Sequence, residues 1–232
     1  MLLPVRQRRF YPPTMKRVAV ILSGCGVFDG AEIHESVLTL LALDRANAKA
    51  ICAAPDVPQY HVVNHFTKQP VAGEQRNVLV ESARIARGNI IPLTQLKPAD
   101  YDAMILPGGF GAAKNLCTFA LTAPDFTVHP QVSSAVQAAH QAGKPIGFIC
   151  IAPAIAAKLF GPAHVEFTIG TDASTAQSLE ATGGKHVSCN VFNIVTDTRL
   201  KIVTTPAYML ATRISEAEAG ITKLVQAVLD MA

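Results

Sequence analysis

The feature that most constrains this chain is a recurring unit: a short, almost wholly apolar run, a turn, then an amphipathic stretch. The apolar runs lie at residues 17–22, 48–54, 103–106, 146–149 and 201–204. Helical patterns follow or precede them at 32–43, 77–87, 131–142, 174–182 and 214–229. A strand that is apolar on both faces has to be covered on both faces, and this is the condition of a parallel sheet. Parallel neighbours in turn need crossover helices. The pattern therefore predicts a doubly wound, mainly parallel α/β sheet with helices on both faces. Residues 57–76 read as irregular, with room for a small hairpin.

The chain has 232 residues, half of them hydrophobic and 16% charged, which suits one large core rather than two. No repeat, low-complexity tract or linker divides it, so residues 15–232 are expected to form a single domain. Residues 1–14 read as a disordered, dispensable extension. They carry Arg6, Arg8 and Arg9 with no acidic residue, and so hold the whole formal charge of +3. The remaining body is neutral, which argues against a nucleic-acid surface. No apolar run approaches the roughly 18 residues of a membrane span.

The N-terminus has no long apolar segment of the secretory kind. The sequence points to a cytoplasmic protein, with a mitochondrial one as the alternative if the Arg-rich leader is a transit peptide. Cys25, Cys52, Cys117, Cys150 and Cys189 are scattered without paired spacing, as expected of reduced thiols. No histidine or cysteine spacing suggests a metal site.

Ligands of such sheets bind beyond the carboxyl ends of the strands. That rule gathers three loops on one rim: those starting at Ser23 and Pro107, and the turn at Cys150 within Gly147-Phe148-Ile149-Cys150-Ile151-Ala152-Pro153. A cysteine between a strand and a helix N-terminus is the thiol form of a nucleophile elbow, and the helix end is expected to lower its pKa. A small apolar core residue is the ordinary alternative.

Pro107-Gly108-Gly109-Phe110-Gly111 supplies close-approaching backbone, and the amides of Gly109 and Ile151 are the natural oxyanion donors. Glu32 and Glu35 open the first helix. Either is a solvated first-turn acid or, if turned inward, a desolvated proton shuttle. His34 fits packing or the surface better. Gly24-Cys25-Gly26-Val27-Phe28-Asp29-Gly30 imitates a dinucleotide fingerprint, but its last glycine comes one residue late, so no dinucleotide is expected.

Taken together, Gly30-Ala31-Glu32…Glu35, Leu106-Pro107-Gly108-Gly109 and the Cys150 elbow resemble the PfpI-like branch of the class I glutamine amidotransferase superfamily. More narrowly, SGCGVFDGAEIHE, NVLVESARIARG, LPGGFGAAKNL, GKPIGFICIAPA, TIGTD and KIVTTPAYM resemble the ElbB-type glyoxalases, from about Met15 to the C-terminus. The resemblance implies a flavodoxin-like fold with Cys150 as nucleophile, Glu35 as the carboxylate facing it, and Gly109 and Ile151 as oxyanion donors. It also implies a cofactor-free glyoxalase that converts small α-oxoaldehydes such as glyoxal to hydroxy acids, usually as a homodimer.

The chain departs from the wider superfamily in two places. Thr204-Thr205-Pro206-Ala207 stands where working amidotransferases carry His-x-Glu, and Ile151 stands where PfpI peptidases carry histidine. Attack on an unactivated amide thus lacks its base, whereas an aldehyde needs less help. His164 lies downstream, with no signal that brings it to the thiol. The rival reading is a non-catalytic redox sensor or binding module built on the same reactive cysteine.

Overall fold

The computed structural model describes residues 15–232; the expectation for residues 1–14 lies outside that range. Within the described residues, eleven strands and eight helices follow in order. They begin β1 Arg17–Ile21, α1 Ile33–Arg45, β2 Lys49–Ala54, β3 Val63–Asn64, β4 Gln69–Pro70, α2 Val78–Ile85, β5 Ile90–Pro92 and β6 Ala103–Leu106. The chain continues with α3 Phe110–Lys114, α4 Phe119–Thr122, α5 Pro130–Gln141, β7 Ile146–Ile149, α6 Pro153–Phe160, β8 Glu166–Phe167 and α7 Ala173–Glu180. It closes with β9 Lys185–His186, β10 Val195–Asp197, β11 Ile202–Thr205 and α8 Ile214–Met231.

Seven strands make the central sheet in the order β10-β11-β7-β6-β1-β2-β5, and only the β10–β11 pair is antiparallel. This is the doubly wound, mainly parallel architecture expected from the apolar runs. From β1 the chain first winds outward through β2 and β5, then returns to the other side of β1 through β6, β7 and β11. The reversal lies between β1 and β6, and doubly wound sheets open their ligand crevice at that point.

Side chains on successive strand residues alternate between two cores. Met104, Leu106, Ile146 and Phe148 face one, which is covered by α5 and α6. Val18, Val20, Ala103, Ile105 and Val203 face the other, covered by α1 and α8. In α8 the residues Ala217, Ile221, Leu224 and Val228 repeat at helical spacing and are fully buried, so this helix is held by a continuous apolar stripe.

The predicted segments match observed elements to within a few residues at each end. The exceptions are short: β5, β10, the β8–β9 pair, and the two brief helices α3 and α4 after β6. The irregular 57–76 region contains the β3–β4 ladder.

Candidate active site

β1, β6 and β7 end on the same rim, and each delivers one part of a site there. The main-chain pairing of β7 with β11 runs one residue beyond the strand, through Cys150 N–H to Thr205 O at 2.9 Å. Cys150 then takes a left-handed conformation, φ 63°, which costs a non-glycine residue about 1–3 kcal/mol. The strained turn leads straight into α6, where Pro153 occupies the first turn without losing a hydrogen bond. The Cys150 side chain is 7% exposed.

Glu35 comes from α1, whose N-cap is Glu32. The Glu32 side chain accepts from Glu35 N–H at 2.6 Å, and this turns Glu35 inward from the first turn. Glu35 has no exposed surface. Its Oε2 accepts from Gly108 N–H at 2.9 Å, its Oε1 from Tyr208 N–H at 3.2 Å, and its carboxyl contacts the Cys150 thiol.

Gly108 is the piece of β6's loop that makes this contact possible. A Cβ there would lie 2.5 Å from Cys150 Cβ and 2.8 Å from Glu35 Oε2, inside the pair itself. Gly109 has φ 90°, and a Cβ on it would collide with Glu32 N and Gly30 O. Gly111 also packs on Gly30. Of the glycines in the Ser23 loop, Gly30 lies against the loop after β6, whereas a Cβ on Gly24 would meet Gln59 and one on Gly26 would meet His65.

Burial pushes the Glu35 carboxyl up to about 8, with the nearby Glu32 charge adding to the rise. The Tyr208 amide, the Cys150 thiol and the Gly108 amide oppose it. Cys150 is pushed well above the ordinary thiol value, first by burial and then by Glu35. The N–H groups of Gly109 and Ile151 reach the sulfur and pull the other way. This corrects the expectation of a depressed Cys150 pKa at the helix end: burial outweighs the helix. The two groups titrate as a pair. The carboxyl, held at about 8, gives up its proton before the more strongly raised thiol, whose S–H then faces the charge.

The pair opens into a cavity of about 430 Å³ floored by Gly109, Cys150 and Ile151. Val27, Phe110, Phe119 and Met209 form apolar walls, and Glu32, Thr175 and Tyr208 are its polar members. All four residues expected at the site, Cys150, Glu35, Gly109 and Ile151, thus meet at one point. Neither the Gly109 nor the Ile151 amide donates to another main-chain group among the described residues.

The remaining candidates lie apart from the thiol. His34 bonds Tyr208 Oη at 2.8 Å on an exposed edge. His164 follows α6, at the helix end opposite Cys150, and bonds Gly183 O at 2.9 Å. Cys25 lies among Glu81, Arg84 and Asp29, outside the cavity lining. Among the described residues no group of three or more His, Cys, Asp or Glu could hold a metal ion.

Tyr208 is the participant the sequence reading missed. It follows Ala207, a buried non-glycine residue at φ 42°, and that unusual turn aims the Tyr208 N–H at Glu35. The only sequence signal was Thr205-Pro206-Ala207 after an apolar run. In sequence it shows the absence of a histidine but carries no sign of the turn it forms.

No family model matches the chain. A curated human relative, glutamine amidotransferase-like class 1 domain-containing protein 3, mitochondrial, is 48% identical over 229 residues, covering 95% of this chain and 85% of the relative. Among solved structures, an isoprenoid biosynthesis protein with an amidotransferase-like domain from Ehrlichia chaffeensis superposes with a TM-score of 0.86. It is 38% identical, covering 93% of this chain and all of that one. A DJ-1 superfamily protein from Agrobacterium tumefaciens shares the fold at a TM-score of 0.54 and 18% identity, covering 90% and 89% of the two chains. The fold is that of the flavodoxin-like class I glutamine amidotransferase superfamily. The expectation of a cytoplasmic protein finds no support in these relatives.

Proposed function

We propose that this chain, which belongs to the family of glutamine amidotransferase-like class 1 domain-containing protein 3, is a cofactor-independent glyoxalase of the ElbB type. The reading rests on one observation: a fully buried carboxyl in direct contact with an elbow cysteine, with two backbone amides directed at the sulfur. Proton movement over a short, dry path is what an α-oxoaldehyde needs to become a hydroxy acid.

The reaction begins from the singly charged pair. The Cys150 thiolate attacks the aldehyde carbon C1, and the carbonyl π electrons pass to O1. The Gly109 and Ile151 amides hold this oxyanion, and the proton on Glu35 then neutralises it. Glu35, now a carboxylate, removes the proton on C1 and returns it to C2, the neighbouring carbonyl carbon. One oxygen-bound proton passes from O1 to O2. The result is a thioester of a 2-hydroxy acid, which water cleaves to release the acid and restore the thiol. The net change is addition of one water, with C1 oxidised and C2 reduced, so no external oxidant or reductant enters.

Cys150's burial also favours an enzyme over a redox sensor, because sensor thiols are exposed and of low pKa. The mitochondrial name of the human relative and the Arg-rich start support a mitochondrial location for this protein. The homodimer implied by the family resemblance has support in the exposed stripe Ile33, Val37 and Leu41 on α1.

The test is turnover of glyoxal to glycolate by purified protein without glutathione and with chelator present. Cycling that stops in Cys150→Ser is expected. Stoichiometric modification of Cys150 without product would sink the enzyme reading.

A further inference from the structure

We propose that the physiological substrates are uncharged α-oxoaldehydes carrying an apolar chain rather than glyoxal itself. This inference rests on the glyoxalase reading and adds the substrate class. Glyoxal has four heavy atoms and fills about the room of three waters, roughly 90 Å³. The cavity over Cys150 holds about 430 Å³. A site built for glyoxal alone would leave most of this space unfilled, whereas pockets of this size enclose far larger ligands.

The nature of the walls narrows the choice. Val27, Phe110, Ala113, Phe119, Ile151 and Met209 surround the space beyond the thiol. Phe119 is 8% exposed and packs edge-on against buried Phe126 at 5.0 Å, so that wall is a fixed part of the core. Among the described residues no Lys, Arg or His lines the cavity. Lys114, on α3, has its ammonium 4.7 Å from the centre of the Phe110 ring, with Phe28 O at 3.4 Å and His61 Nε2 at 3.2 Å. Among the described residues, the single ionisable side chain in the lining besides Cys150 and Tyr208 is acidic Glu32. A phosphate or carboxylate on the substrate would enter these mainly apolar walls with no cationic partner and with the like charge of Glu32. An alkyl chain on C2 would instead gain hydrophobic energy at every carbon.

Each fully buried methylene raises kcat/KM about fourfold. From methylglyoxal to 2-oxoheptanal, four methylenes are added. At least tenfold higher kcat/KM is expected for the longer aldehyde, even with part of the chain in the open mouth. Ala120 lines the mouth and is exposed, so Ala120→Leu fills space without disturbing the core. It should lower the ratio of kcat/KM for 2-oxoheptanal over methylglyoxal.

Two readouts are taken on the same protein: turnover of glyoxal, methylglyoxal and 2-oxoheptanal, and the concentration of each that halves iodoacetamide labelling of Cys150. Rising kcat/KM and tighter protection with chain length support the inference. If all three turn over but kcat/KM is flat or falls with length, the apolar-chain inference is overturned while the glyoxalase reading stands. If none turns over, the glyoxalase reading fails, and protection decides the rest: tightening with chain length upholds the apolar ligand class, and equal protection overturns it too.

Discussion

Glu35 should make this protein lose stability as the pH rises through neutrality, and the size of the loss follows from its position. An unfolded glutamate ionises near 4.5, whereas burial holds Glu35 protonated up to about 8. Between those values the folded state binds a proton that the unfolded state has released, so stability falls with rising pH. The stabilising contribution is complete below about pH 4.5 and is lost as the pH passes about 8. At about 1.4 kcal/mol per pH unit, the full span amounts to about 5 kcal/mol, and most of it, about 3–4 kcal/mol, falls between pH 5 and pH 8.

Glu35→Gln isolates this contribution. Its single side-chain oxygen can accept from only one of the Gly108 and Tyr208 amides, so its NH₂ is left facing a donor. That mismatch costs about 1–3 kcal/mol but does not vary with pH. Urea unfolding of both proteins at several values from pH 5 to pH 8 should therefore show the wild-type advantage shrinking by about 3–4 kcal/mol, so that the variant becomes the more stable of the two by pH 8. All other titrating groups are common to both proteins and cancel. Stopping at pH 8 keeps the raised Cys150 thiol out of the window. A stability difference constant within about 0.5 kcal/mol would refute the buried, protonated carboxyl.

Turnover is expected to show the opposite trend. The singly charged pair is the nucleophile, so kcat/KM should rise about tenfold per pH unit and level off above about 8. Iodoacetamide labelling of Cys150 should rise through the same midpoint. Glu32→Gln keeps an oxygen for the Glu35 amide but removes the charge that raises Glu35, so the midpoint should move to lower pH in both assays. Glu35→Gln should lower glyoxal turnover by at least about 100-fold, measured as glycolate formed, while Glu32→Gln is much milder. Gly108→Ala should push the thiol and the carboxyl apart, costing about 1–3 kcal/mol by urea unfolding and removing turnover.

Much of this arrangement was legible in the residues themselves, for stated reasons. Apolar runs such as Ala103–Leu106 can be satisfied only by burial on both faces, and that condition sets the sheet. Cys150 and Gly109 follow strands, so the strand-end rule brings them to one rim with no knowledge of side-chain packing. That rule leaves Glu32 and Glu35 equal; only the family resemblance singles out Glu35, because the Glu32 cap that turns it inward is a feature of the folded helix end. β10 was not legible: Val195–Asp197 is a short edge strand with one buried residue, and it carries too little periodicity to stand out. Tyr208 was hidden for another reason. It acts through its amide, and the strained Ala207 turn that aims the amide has no side-chain signature.

The thiol shows where local rules and the folded surroundings part. A helix N-terminus favours an anion by at most about 2 kcal/mol, which lowers a pKa by about 1.5. Full burial moves a charged group by as much as 3–5 pH units in the unfavourable direction. The first effect is visible in Cys150-Ile151-Ala152-Pro153, but the second depends on Gly108, Glu35 and the walls of the cavity. Burial wins for either group taken singly, and a lone buried thiol would stay protonated and inert. A carboxyl in contact changes the outcome, because the pair needs to lose only one proton to hold one charge, and the two amides are placed to receive that charge. Reactivity here is therefore a property of the Cys150–Glu35 contact. Separating the two should silence the thiol even where the elbow itself is intact.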